Sequence, residues 1–271
     1  MQDHTVDSLD KFLALVSVKG AYGTLYRGMR NAEWKLIPSV GRYLPDYEAR
    51  GLTRDYLLKD ESAAMRIFRK QCAAHLGYIP KDGWEVWSIA QHHGLPTRLM
   101  DWTYSPLVGL FFAVEDPWDG DSVVYPLRIP EAYISIMEEE GRSQQGIRRS
   151  HPLGIKGVRV YEPSYDTPRI HAQSAMFTVQ EDPTHPLEEH VPHGYSAPLI
   201  ESENMWRIRI ENSARSQMRV ALFNLGITRK LLFPELDGLA DWLGYMKWGF
   251  PFDGSRAHVT PILPVESTLK Q

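Results

Sequence analysis

The stretch from Pro106 to Val114 reads PLVGLFFAV and carries no polar side chain. Leu107, Leu110, Phe111 and Val114 fall at i, i+3, i+4 and i+7, the spacing of one helix face. Ser105 can cap the first turn, and Pro106 fits the first helical position, where its missing N–H costs nothing. A helix without a polar face must be surrounded by other elements. The segment just before it, QHHGLPTRLMDWTYSP from Gln91 to Pro106, is dense in polar and geometry-fixing residues. A passive loop has no need of Arg98, Asp101 and Trp102 together.

The remaining pattern predicts helices early and late with about five short strands between and around them. Helical spacing appears at Leu9, Phe12, Leu13 and Val16, with Asp7 or Ser8 as cap, and in a mixed-charge run from 47 to 76 with Met65, Phe68 and Cys72 on one stripe. GWEVWSIAQHH is a further helix, closed by Gly94. SARSQMRVALFNLGI and FPELDGLADWLGYM are the last two. GTLYRGM, SVVYPLRIP, VRVYEP, AMFTVQ and MWRIRI read as strands. The residues at 138–157 and 181–204 are rich in polar, Gly or Pro residues and predict long loops. Strands and helices do not alternate regularly, which argues against a doubly wound parallel sheet. The expected class is α+β: a small, mostly antiparallel or mixed central sheet flanked by N- and C-terminal helices. No repeat or linker divides the 271 residues, so a single domain over 1–271 is expected, its core at about 20–247.

Composition narrows function mainly by exclusion. A net charge of −4 gives no global pull toward nucleic acid or anionic membrane. The single cysteine, Cys72, excludes an internal disulfide framework and fits a reducing cytosol. The N-terminus is unlike a signal peptide, and no apolar run approaches the ~20 residues of a membrane span. The expected location is therefore cytoplasmic, without a membrane partner. No phosphate-binding G-x-x-x-x-G-K-[ST] loop, G-x-G-x-x-G turn or H-E-x-x-H zinc motif occurs. His92 and His93 are adjacent and cannot share one helix stripe. His185, His190 and His193 have no supporting cysteine, so no metal is expected.

Two segments carry the candidate chemistry. In Tyr26-Arg27-Gly28, the Arg27 guanidinium can fork onto a phosphate while Gly28 lets the backbone come close. Its alternative is a structural bridge to Asp101. In the second segment, His93 suits acid–base work or bonds the helix-end carbonyls. Thr97 and Thr103 can bind ligand or cap. Arg98 can hold an anion, and Asp101 can act at the site or serve as counter-charge to Arg98 or Arg27. The free N–H groups at Ser105-Pro106 are a candidate anion site.

LYRGMRNAEWKLIPSVGR and AQHHGLPTRLMDWTYSPLVGLFFAVED resemble the FRG domain family, named for a Phe-Arg-Gly triplet that stands here as Tyr26-Arg27-Gly28. RIHAQSAMFTV and GITRKLLFPELDGLADWL follow in the family's order, so the resemblance runs from about residue 20 to 247. A more distant similarity of motif order links the chain to toxin-type ADP-ribosyltransferases. These use an Arg on an early strand, a hydroxyl-rich strand running into a helix, and a strand with a catalytic Glu. Tyr26-Arg27-Gly28 looks like the first motif, Thr97 to Thr103 like the second, and His171-Ala172-Gln173 like the third, with Gln173 in the carboxylate's place.

This resemblance implies a nucleotide or dinucleotide ligand, with NAD as the cofactor. The chemistry would be ADP-ribosyl transfer or NAD glycohydrolysis, with His93, Asp101 and Gln173 catalytic and Tyr26, Arg27, Gly28, Thr97, Arg98 and Thr103 binding. Gln173 can only hydrogen-bond, however, where a Glu would stabilise an oxocarbenium ion by charge. The competing expectation is a non-catalytic module that recognises a nucleotide, a nucleic-acid target or a protein partner, in defence against phage.

Overall fold

The computed structural model of the chain describes residues 1–19, 23–80, 82–129, 151–163, 172–173, 175–189 and 204–249. Seven strands form one open sheet: β1 (Gln2–Val6), β2 (Thr24–Met29), β3 (Leu99–Thr103), β4 (Ser122–Arg128), β5 (Val158–Tyr161), β6 (Ala175–Gln180) and β7 (Trp206–Ile210). Their spatial order is β1-β7-β4-β2-β3-β6-β5. Only β1 and β7 run parallel; the other neighbours are antiparallel. Eight helices complete the described residues: α1 (Leu9–Lys19), α2 (Leu44–Ala49), α3 (Arg54–Leu76), α4 (Gly83–His92), α5 (Pro106–Val114), α6 (Asn212–Asn224), α7 (Arg229–Leu232) and α8 (Leu236–Trp248). The fold is α+β.

Local chemistry sets the element ends as expected. Ser105 Oγ accepts the Val108 N–H at 3.3 Å, with Pro106 in the first turn of α5. Asp82 caps α4 by accepting from the Glu85 N–H at 2.9 Å. Gly94, at φ +81°, ends that helix in the left-handed region where a Cβ is disfavoured. The run at 47–76 divides into α2 and α3 at Gly51, whose φ is +72°. Pro126 sits in the central strand β4 without breaking its ladder to β7, because that ladder ends at Val124. Strand β1 falls in a segment that shows no element signal in sequence. It is an edge strand exposed along most of its length, so it lacks the alternation that betrays a half-buried strand. The histidine cluster expected near 185–193 lies outside the described residues except for exposed His185, as does most of the two long loops.

Paired residues project to the same side of a sheet, which assigns the three apolar clusters to faces. Tyr26, Val124 and Ile208 point with α1, α5 and α6 over the β1-β7-β4-β2 half. Leu99, Phe177 and Val179 project to the same side over the β3-β6-β5 half, where α4 covers them with Trp84 and Trp87, and Met65 of α3 joins them. The opposite face buries Leu25, Met29, Met100, Trp102 and Tyr125 under irregular chain that includes Ala32, Leu36 and Leu187. One face thus carries two separate helical layers, and the boundary between them lies over β2 and β3.

Candidate functional site

The sheet itself parts at that boundary. β2 pairs with β4 over six positions and β3 pairs with β6 over five. β2 and β3 meet at a single pair, Tyr26 and Thr103. Beyond it the strands diverge and a cleft of about 490 Å³ opens in the seam. Its walls are the C-terminal half of β2, strand β3, the end of α4 (Ser88, Gln91, His92), the end of α5 (Phe112, Asp116) and Gln173, Ala175 and Phe177 beside β6.

Arg27 spans the seam. Strand alternation sets it opposite Tyr26 and Gly28, and its Nη1 donates to the Asp101 carbonyl oxygen at 2.5 Å. The Asp101 carboxylate stands 3.8 Å from the same nitrogen. Arg27 is 17% exposed, and its buried Nε has no hydrogen-bond partner among the described residues. Desolvation pushes the guanidinium down to about 10; Asp101 opposes this and Arg42 adds to it. The group therefore stays charged at neutral pH. Arg42 is likewise pushed down by desolvation and held up by Asp101. Its Nε donates to the Ile37 carbonyl at 2.9 Å, and among the described residues it forms no ion pair. Arg30 supplies a third guanidinium, 3.5 Å from the Asp116 carboxylate.

Asp101 is held by a relay rather than by a full ion pair. Gln91 Nε2 donates to its carboxylate at 2.9 Å, and Gln91 Oε1 accepts from Thr97 Oγ1 at 2.6 Å. Thr97 is fully buried. Its N–H donates to Ser39 Oγ at 2.9 Å, and its carbonyl accepts the Val40 N–H at 3.1 Å. One threonine thus fixes both the Asp101 rotamer and the chain that leads to Arg42.

Of the residues expected at the site, Tyr26, Arg27, Gly28, Asp101, Thr103 and Gln173 line this cleft. Three others do not. Arg98 is corrected to a structural role: it is 4% exposed and forks onto Glu61 of α3, with Nε 3.1 and 3.2 Å from the two carboxylate oxygens. Its counter-charge is Glu61, not Asp101. Thr97 stands behind the wall and acts through Gln91. His93 is exposed at the end of α4, and its neighbour His92 faces the cleft instead. One further expectation needs correction. The cleft touches α5 at its C-terminal end, so the N–H groups at Ser105-Pro106 do not line it. Gly28, which lines the cleft, also makes room for the helix: a Cβ there would stand 1.9 Å from the Gly109 carbonyl oxygen and 2.6 Å from the Ala113 nitrogen. Gln173 lines the cleft, and its Nε2 donates to the Leu232 carbonyl at 3.0 Å.

Sequence reasoning singled out none of Arg30, Trp34, Arg42, Gln91, His92, Phe112 and Asp116. A signal was available for five of them: Gln91 and His92 stand in the polar stretch that precedes α5. Arg30, Trp34 and Arg42 stand in the stretch after Arg27, where basic residues alternate with an aromatic one. Asp116 and Phe112 gave none, because only the crossing of α5 over β2 brings them to the seam.

Residues 23–122 match the family model of the FRG domain. Over that span the chain is similar to the FRG domain. The matched span runs from the start of β2 to the first residue of β4. It takes in both lips of the seam, the three arginines, Asp101 and Asp116, and it ends before Gln173. No curated protein and no solved structure matches the chain. Among the described residues no group of acidic, His or Cys side chains could hold a metal ion, and no helix is long and apolar enough to cross a membrane.

Proposed function

We propose that the seam cleft binds a phosphorylated nucleotide through a diphosphate group, with NAD and ADP-ribose as candidate ligands. The observation that carries this reading is the set of three guanidiniums on one opening, Arg27, Arg30 and Arg42, against two carboxylates, Asp101 and Asp116. Desolvation lowers the proton affinity of both Arg27 and Arg42, and Arg42 lowers that of Arg27 further; Arg27 Nε is left without a partner among the described residues. A dianion between them relieves the repulsion and accepts those N–H groups, in the planar geometry that guanidinium favours. The cavity size is that of a small-molecule site.

Two chemical outcomes remain for such a ligand. The motif order shared with ADP-ribosyltransferases points to transfer or hydrolysis at the glycosidic bond. The other outcome, a module that binds without turnover, is favoured because among the described residues no Glu lines the cleft where a developing oxocarbenium ion would need one, and Gln173 stands there instead.

The test is a thermal-shift series on the whole chain with NAD, ADP-ribose and inorganic pyrophosphate. A ligand at a hundredfold excess over its Kd adds about 2.7 kcal/mol. The rise should vanish in Arg42→Ala, whose exposed side chain can be removed without opening the seam as Arg27→Ala would. Nicotinamide release from NAD above the buffer rate supports turnover, and binding without release supports the module. No shift with any of the three would sink the diphosphate reading.

A further inference from the structure

We propose that Trp34 is a base-stacking platform at the mouth of the cleft, so that the site prefers a nucleoside diphosphate over a bare diphosphate. The inference rests on the diphosphate reading above and extends it to the other end of the ligand.

Trp34 lines the cleft and is 40% exposed. Its backbone is nevertheless tied on both sides. Two residues before it, the buried Ala32 donates its N–H to the Asp121 carbonyl at 2.9 Å. Two residues after it, the buried Leu36 donates to the Glu188 carboxylate at 3.2 and 3.1 Å. Tyr125 Oη donates to the Trp34 carbonyl itself at 3.5 Å. The indole is therefore held at the cleft on a fixed mount.

Its neighbours also suit a stacked base. The Arg30 guanidinium lies over one face of the ring, 5.0 Å from its centroid, and is oriented by Asp116, so a base would stack on the other face. Trp118 approaches at 6.2 Å with a 48° tilt, too far and too inclined to cover the ring as a parallel stack. Arg27 and Arg42 line the same cleft. Cationic and aromatic side chains thus share one opening, which matches a ligand with an anionic group joined to a flat heterocycle. Every nucleobase has such a face, so the platform selects nucleotides as a class and not one base.

The experiment is calorimetric titration of the full chain with inorganic pyrophosphate and with ADP, in wild type, Trp34→Ala and Trp34→Phe. The expected result is ADP bound about tenfold tighter than pyrophosphate, the order of effect that one stacked base supplies. Trp34→Ala should bring ADP to the pyrophosphate level and leave pyrophosphate unchanged; Trp34→Phe should keep most of the preference. If Trp34→Ala does not fold, Trp34→Leu replaces it, filling volume without a π face. Equal affinities in wild type, or an ADP preference that survives loss of the ring, overturn the platform while pyrophosphate binding upholds the diphosphate site. Failure of both probes to bind overturns the two together.

Discussion

Glu61→Ala tests the best-defined buried electrostatic contact in the molecule. Glu61 lies on α3 with its side chain at 0% exposure, and Arg98, beside β3, is at 4%. The carboxylate accepts from both Nε and Nη2 of Arg98. The guanidinium also lies 5.9 Å from the Trp87 ring centroid, and Nη1 donates to the Glu181 carbonyl at 3.3 Å. Removing the carboxylate leaves a charged group with no counter-ion and no path to water, a loss of about 3–5 kcal/mol. For a chain of this size each kcal/mol moves Tm by about 2–4 °C, so the drop should be roughly 6–20 °C. Replacing both partners by methionine should recover most of it, because no buried charge then remains. Asp101→Ala is the control: its carboxylate is 54% exposed and 3.8 Å from Arg27, and its loss should cost under about 1 kcal/mol. The assay is calorimetric or dichroic melting of all four proteins in one buffer. A Glu61→Ala Tm within 2 °C of wild type, or an Asp101→Ala loss as large as that of Glu61→Ala, would refute the assignment of the buried pair.

Gly28→Ala should destabilise by about 1–3 kcal/mol or more, since its Cβ would stand 1.9 Å from a backbone oxygen of α5; urea titration reads this, and a neutral result would show that α5 can lift from β2. Burial raises the Glu115 carboxyl to about 7 against the pull of Arg229. The folded state therefore holds a proton that the unfolded state has released between about pH 4.5 and 7, and stability should fall as pH rises through that window, by at most on the order of 3 kcal/mol. Glu115→Gln should flatten that slope, and an unchanged slope in the variant would assign it to another group. Asp101→Asn should tighten pyrophosphate binding by removing a carboxylate beside Arg27 and Arg42; weaker binding would mean that the Asp101 charge is needed to hold the arginines in place. Thr97→Val should cost stability by leaving Gln91 Oε1 and the Leu99 N–H without the hydroxyl that serves both, with the melting curve as readout.

The sequence by itself determined the parts whose cause is local. The Ser105-Pro106 start of α5, the Gly94 end of α4 and the five apolar strand runs follow from capping, backbone freedom and side-chain alternation, which act within a few residues. Tyr26-Arg27-Gly28 and the Gly94–Thr103 stretch stood out for the same reason, as polar, geometry-fixing residues crowded against apolar runs. The tertiary structure alone decided which of these residues meet. Arg98 and Asp101 are three apart, yet strand alternation and the position of α3 send Arg98 to Glu61 and leave Asp101 at the cleft. Gly28 was legible as a residue that permits close approach, but only the crossing of α5 shows what approaches. The edge strand β1 left no pattern because an exposed strand buries no regular face. The cleft itself is a failure of pairing between β2 and β3. Pairing joins residues some 75 positions apart, and no local propensity encodes where such a ladder stops.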